Sequence, residues 1–139
     1  MTAEELIGRV IARGLPTLSI RQPWPDRIFY EGKDVENREW STKGRGAFLI
    51  HAGKKVDGDA DDQRFYEGEG LKFGGIVGVA RITDCVTTMD SRWFCGKYGF
   101  VLADAHPLEF LPCKGALSFF RPDIDPADLR PLASLPGDE

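Results

Sequence analysis

The sequence predicts a small α+β domain: about six strands curled into a mixed barrel, with two or three short helices packed around it. Three observations lead there. Short apolar runs bounded by Gly, Pro, Asp and Asn recur along 139 residues, a length that suits one domain able to bury roughly 70% of its unfolded surface. Helix-start and helix-stop signatures flank only brief stretches. Gly74, Gly75 and Gly78 open the longest apolar run and supply the backbone freedom that bulges and barrel corners require.

Taken in order, Thr2 followed by Glu5 is a capping-box pattern, Leu6, Ile7, Val10 and Ile11 recur at helical spacing, and Gly14 gives a left-handed stop. Residues 1–14 therefore read as an N-terminal helix. Leu18 to Arg21 is a short strand, and Pro23 or Pro25 opens a helix running to about Glu31 with Gly32 as its cap. Lys33 to Trp40 is strand-like, and strict alternation places Asp34, Glu36, Arg38 and Trp40 on one face with Lys33, Val35 and Asn37 on the other; a bulge would bring Lys33 and Glu36 together. Ser41 to Arg45 is a loop. Ala47 to Ala52 is apolar on both faces, as a central strand would be, and His51 stands at its end. Gly53 to Gly70 is acidic, a loop with one irregular helix around Gln63 to Tyr66. Gly75 to Val86 is a long strand, and Tyr98 to Ala103, Leu108 to Leu111 and Gly115 to Phe119 are three more. The body of the domain spans 15–121, and 122–139 is a Pro- and Asp-rich tail with at most one helical turn at Ala127 to Arg130.

No apolar run approaches the ~20 residues that cross a bilayer, and a start carrying Glu4 and Glu5 without a basic-then-apolar stretch does not read as a secretory signal. A soluble, cytoplasmic protein without a membrane partner is expected. Cys85, Cys95 and Cys113 are odd in number and lack zinc spacing, so they read as reduced thiols and no metal or other cofactor is expected. The acidic run Asp57, Asp59, Asp61 imitates a calcium loop but fails at its sixth position, Asp62, and its twelfth, Gly68. It reads as a solvated loop, or as the contact of a protein-interaction module. A net charge of −4 argues against bulk attraction to nucleic acid, yet the balance is +3 from Arg21 to Lys55 and −7 from Val56 onward. One positive face on an acidic body can draw in phosphate while limiting indiscriminate binding.

The stretch from Leu18 to Ala52 breaks the apolar pattern most, through Gln22, Trp24, Lys33, Glu36, Asn37, Arg38, Trp40 and Arg45. Trp24 and Trp40 offer faces on which a base can stack, and Trp40, among polar neighbours, is the better placed of the two. Arg38, Arg45 and Lys54 can grip phosphate. Gln22 and Asn37 both donate and accept, so they can read a base edge. Tyr98 can stack or hydrogen-bond at the same cleft, and His51 is the side chain near the motif suited to shuttle a proton at neutral pH. Each has a plain structural counterpart: core packing for the rings, an ion pair between Glu36 and Arg38, backbone capping for Gln22 and Asn37, a satisfied rim histidine for His51.

The same residues, L-S-x-x-Q-P-W from Leu18 and K-x-V-E-N-R-x-W-x-T-x-x-R-G from Lys33, followed by an apolar strand ending in Ala52, resemble the ASCH (activating signal cointegrator homology) domains of the PUA-like superfamily. Gly74 to Cys85, Tyr98 to Leu102 and Pro112 to Leu117 resemble the later strands of such domains in the same order. Gly32 abuts Lys33, where relatives often place one residue between. The resemblance implies a PUA-like barrel that binds RNA or single-stranded nucleic acid, or a nucleotide-like small molecule, in a cleft between the Gln22 to Trp24 turn, the Lys33 to Trp40 strand and the Lys43 to Gly46 loop. It implies an enzymatic alternative as well. Some small ASCH-type proteins are described as amidohydrolases of an acylated cytidine that use a Lys, a Thr nucleophile and a distant Glu. Lys33 falls on the Lys position, whereas the Thr position holds Glu36. Others are described as ribonucleases, a chemistry for which Lys33, Glu36, Arg38 and His51 could serve as base, acid and cation, with a divalent metal as a possible helper.

Overall fold

The structure, a computed structural model, describes residues 1–132. Helix α1, Ala3–Ala12, starts from the Thr2 capping box, with Thr2 Oγ1 accepting from the Glu5 N–H and Glu5 accepting from the Thr2 N–H. Its apolar positions Leu6, Ile7 and Val10 are buried. Each burial stabilises by roughly 1.5–3 kcal/mol, more than the ~1 kcal/mol of the cap, so packing holds this helix to the sheet and the cap sets where it begins.

Strand β1 (Thr17–Ile20), helix α2 (Trp24–Tyr30), β2 (Val35–Arg38), β3 (Gly46–Ala52), helix α3 (Ala60–Gly68), β4 (Gly75–Val86), β5 (Tyr98–Pro112) and β6 (Phe119–Phe120) follow, with one 3₁₀ turn at Pro126–Asp128. The strands form a six-stranded sheet in the order β2-β5-β4-β3-β1-β6, curled into a half-barrel. Only the β1–β3 pairing is parallel; the others are antiparallel. As its unbroken apolar run requires, β3 is covered on both faces. Ala47 and Leu49 pack with Leu6, Ile7 and Val10 of α1, while Phe48, Ile50 and Ala52 pack with Ile28 of α2 and with Phe100.

Curvature comes from register shifts: one between Ile50 and His51 against β4, and three along the β4–β5 pair. Gly78 sits at this crowded bend, where an added Cβ would lie 2.0 Å from Phe29 Cζ and 2.8 Å from the His106 carbonyl oxygen.

Three sequence expectations need correction. Tyr98 to Ala103 and Leu108 to Leu111 are one strand, β5, because Asp104 takes a left-handed conformation (φ 55°) and Pro107 pairs opposite Gly78 across a shift instead of ending the strand. Gly115 to Phe119 is mostly an exposed loop that pairs with β1 only at Phe119 and Phe120, after Ser118 turns at φ 58°. The irregular helix is a regular one of nine residues. The acidic run starts it: Asp59 accepts from the Asp61 and Asp62 N–H groups, and Asp62 accepts from Asp59, a second capping box. No group of three or more His, Cys, Asp or Glu among the described residues is placed to hold a metal ion. No helix among them is long and apolar enough to cross a membrane.

Candidate nucleic-acid interface

One cavity of about 830 Å³ opens between the C-terminal end of β1, strand β2 and three loops. Its lining comes from distant parts of the chain: Ser19 to Arg21 and Trp24, Lys33 to Arg38, Gly53 to Asp57, Arg92 to Cys95, and Ala116 to Ser118. Six of its side chains are cationic, Arg21, Lys33, Arg38, Lys54, Lys55 and Arg92, against the two carboxylates of Glu36 and Asp57.

At its floor lies a buried charge cluster. The Glu36 side chain, 6% exposed, stands 3.6 Å from Lys33 Nζ and 3.1 Å from Arg38 Nη2. Lys33 also donates to the Val35 carbonyl, and its ammonium lies 5.8 Å from the centre of the Trp24 ring. Burial pushes the Lys33 pKa below its ordinary value, and the Glu36 carboxylate offsets part of that. Lys33 reaches Glu36 because it precedes the strand: its N–H is held by the Arg27 carbonyl at the end of α2, so the alternation of β2 does not govern it. Arg38 donates to the Ser19 carbonyl at 2.7 Å, tying β2 to β1 across the mouth of the half-barrel, and its Nε is buried without a partner.

The aromatic walls are half-buried indoles. Trp24 donates from Nε1 to Asp57 at 2.8 Å. Trp93, which sequence reasoning did not single out, sits beneath the Arg92 guanidinium, 4.5 Å from its ring centre. Its loop is held by Asn37, which donates to the Trp93 carbonyl (2.9 Å) and accepts from the Cys95 N–H (3.0 Å). The W-F-C run beside Arg92 was the available signal: apolar and aromatic residues in a loop flanked by basic ones.

The structure gathers Trp24, Lys33, Glu36, Asn37, Arg38 and Lys54 at this cavity. It places the other candidates elsewhere. Gln22 is buried beside a second, smaller recess, donating to the Lys72 carbonyl and accepting from the Asp26 N–H of α2. Trp40 follows the end of β2 and packs edge-on against Phe100 (5.2 Å) and Phe119 (5.9 Å) in the core. Arg45 folds onto its own loop, donating to the Thr42 and Gly44 carbonyls with Asp84 at 3.5 Å. Tyr98 opens β5 opposite Arg38, with Lys97 over its ring. His51, 1% exposed, lies behind the wall, bonded to Ser19 Oγ and to the Cys113 carbonyl. Burial pushes its pKa below the ordinary value, partly offset by that carbonyl.

A family model described as the ASCH domain matches residues 18–114, which run from the second residue of β1 through β5 and include all of the cavity lining except Ala116 to Ser118. The chain belongs to the ASCH domain family. ASCH domains are PUA-like and generally linked to RNA binding. Comparison with the curated proteins finds no match. In this ASCH domain the two motif blocks, Leu18 to Trp24 and Lys33 to Gly46, divide their work. Ser19, Trp24, Lys33, Glu36, Asn37 and Arg38 line the cavity, while Gln22, Trp40 and Arg45 hold the elements around it.

Proposed function

We propose that this ASCH domain binds single-stranded RNA by drawing one nucleotide into the cavity beside β2. The observation that carries the reading is the lining itself: six cationic side chains against two carboxylates, with the half-buried indoles of Trp24 and Trp93, around a volume suited to a nucleoside and its phosphate. Lys54, Lys55, Arg21 and Arg92 are exposed and have no ion pair among the described residues, so they are free to meet phosphate. Trp24 and Trp93 supply the stacking faces, and Asn37 shapes the site through the loop it holds. A chain with an acidic remainder keeps this attraction local.

The test is fluorescence anisotropy with labelled single-stranded RNA at two salt concentrations. Lys54→Ala and Lys55→Ala are each expected to weaken binding about tenfold and to flatten the salt dependence by about 0.7 in log–log slope, the contribution of one phosphate contact on a single strand. Trp93→Ala is expected to cost about 1–3 kcal/mol of binding with the slope unchanged. Wild-type affinity in the folded Lys54 and Lys55 variants would rule the site out.

One observation favours a second reading, a hydrolase acting on RNA or a modified nucleoside: at the cavity floor burial lowers the Lys33 pKa, with the Glu36 carboxylate 3.6 Å away opposing that shift. A denaturing gel run from the same tubes, with manganese or with EDTA, reads it. Cleavage that disappears in Lys33→Ala supports the hydrolase, and full activity in that variant ends it.

A further inference from the structure

Ser19 and His51 face each other across the parallel β1–β3 pair, and the hydrogen bonds around them have a fixed direction. The Cys113 carbonyl, 2.9 Å from His51 Nε2, can only accept, so Nε2 carries the ring proton. Nδ1 of the neutral ring is then a lone pair, and it lies 2.9 Å from Ser19 Oγ, so the serine hydroxyl must be the donor. A hydroxyl donating to an imidazole whose far nitrogen is oriented by an acceptor is the working geometry of a nucleophile and its general base. Ser19 also lines the cavity.

The loop above the pair is adapted to it. A Cβ at Gly115 would lie 2.7 Å from His51 Cε1 and 3.2 Å from Ser19 Oγ, and one at Gly53 would lie 3.4 Å from Ser19 Oγ. Two glycines thus let backbone close around the pair without a side chain over the hydroxyl. Lys33, by contrast, has its ammonium engaged by Glu36 and the Val35 carbonyl.

We propose that Ser19 is a nucleophile for acyl transfer, with His51 as its base and the Cys113 carbonyl as the group that orients the ring, acting on carboxylic esters of an anionic, nucleotide-like alcohol. The nature of the alcohol rests on the RNA-binding reading; the nucleophile does not. The Oγ–carbon bond forms as the Oγ proton passes to Nδ1. Collapse breaks the ester C–O bond, and the alcohol leaves with that proton. Water then adds to the acyl carbon, giving a proton to Nδ1, and the acid departs as Oγ takes the proton back. Acyl transfer suits the site better than phosphoryl transfer, which needs a free cation at the nucleophile itself in addition to those that line the cavity. The Arg38 guanidinium, the cation bonded to the Ser19 backbone, is already shared between the Ser19 carbonyl and Glu36.

The experiment treats the purified full chain with a fluorophosphonate probe, locates the adduct by peptide mass spectrometry, and follows turnover of p-nitrophenyl acetate and of bis(p-nitrophenyl) phosphate. A single adduct on Ser19 is expected, with labelling slowed at least tenfold in His51→Gln and acetate turnover lost in Ser19→Ala. Gly115→Ala displaces the pair without replacing either member and is expected to slow labelling, and a melting curve on the same sample separates lost packing against His51 from lost reactivity. Absence of a Ser19 adduct on the folded wild type, or ester turnover retained in Ser19→Ala, overturns the proposal; turnover of the phosphate diester alone overturns its acyl assignment. RNA anisotropy on untreated protein reads the binding proposal separately. A labelled Ser19 in a protein that ignores RNA keeps the nucleophile and discards the nucleotide-like alcohol.

Discussion

Replacing Glu36 with alanine is expected to destabilise the domain by about 3–5 kcal/mol near neutral pH, the cost of stranding buried charge. Among the described residues Glu36 is the one carboxylate in contact with both Lys33 and Arg38, and the Lys33 side chain is only 3% exposed. Without Glu36 the ammonium keeps a single carbonyl acceptor, Val35, and the guanidinium keeps the Ser19 carbonyl. Linkage gives the variant a second signature. Burial already lowers the Lys33 pKa while Glu36 raises it, so the substitution lowers it further. A base whose folded pKa lies below its unfolded value binds fewer protons in the native state, and stability then rises with pH between the two values. The deficit therefore shrinks as the pH climbs toward roughly 10.4, the unfolded value for lysine. Urea titrations at about pH 7 and about pH 9.5 check both the size and the sign. Adding Lys33→Met to Glu36→Ala removes the stranded ammonium and is expected to recover part of the loss. A loss below about 1 kcal/mol would mean that the cluster is solvated and not a buried anchor.

Gly78→Ala is expected to cost about 3 kcal/mol, the upper end for overpacking a core. The added methyl would meet the Phe29 ring at 2.0 Å on one side and the His106 backbone at 2.8 Å on the other, so the ring has to move. Phe29 belongs to α2, whose first residue is Trp24, so displacing it also disturbs an aromatic wall of the cavity. Thermal unfolding and RNA anisotropy on the same sample are expected to fall together. Phe29→Leu in the Gly78→Ala background should restore stability in part; a double variant no better than the single one would place the strain at the His106 backbone instead.

Much of the fold was legible because its signals are local. The Thr2 and Glu5 box, the run from Ala47 to Ala52 and the strand from Gly75 to Val86 each follow from residues adjacent in the chain. What misled is nonlocal. Pro107 reads as a strand break until Gly78 is known to lie opposite it, whereas the Asp59 and Asp62 capping box is as local a signal as Thr2 and Glu5 and is masked by its likeness to a calcium loop. The site divides the same way. Lys33, Glu36 and Arg38 stand close in sequence and close in space, so their cluster could be anticipated. Trp40 could not be placed, because its partners Phe100 and Phe119 lie 60 or more positions away, and Trp93 reaches the cavity only through the bonds that Asn37 makes to its loop.

That grip has a temporal consequence. Asn37 and the loop it holds are 56 and 58 positions apart, and the last stretch of the rim, Ala116 to Ser118, comes later still. Closing spans of that length delays a contact until the intervening strands have paired. On a ribosome the residues of the first motif emerge early yet remain an open shelf; the recess exists only after β5 has threaded between β2 and β4. The recess is therefore the last feature of the fold to assemble, and a nascent chain carrying both motif blocks intact still lacks it.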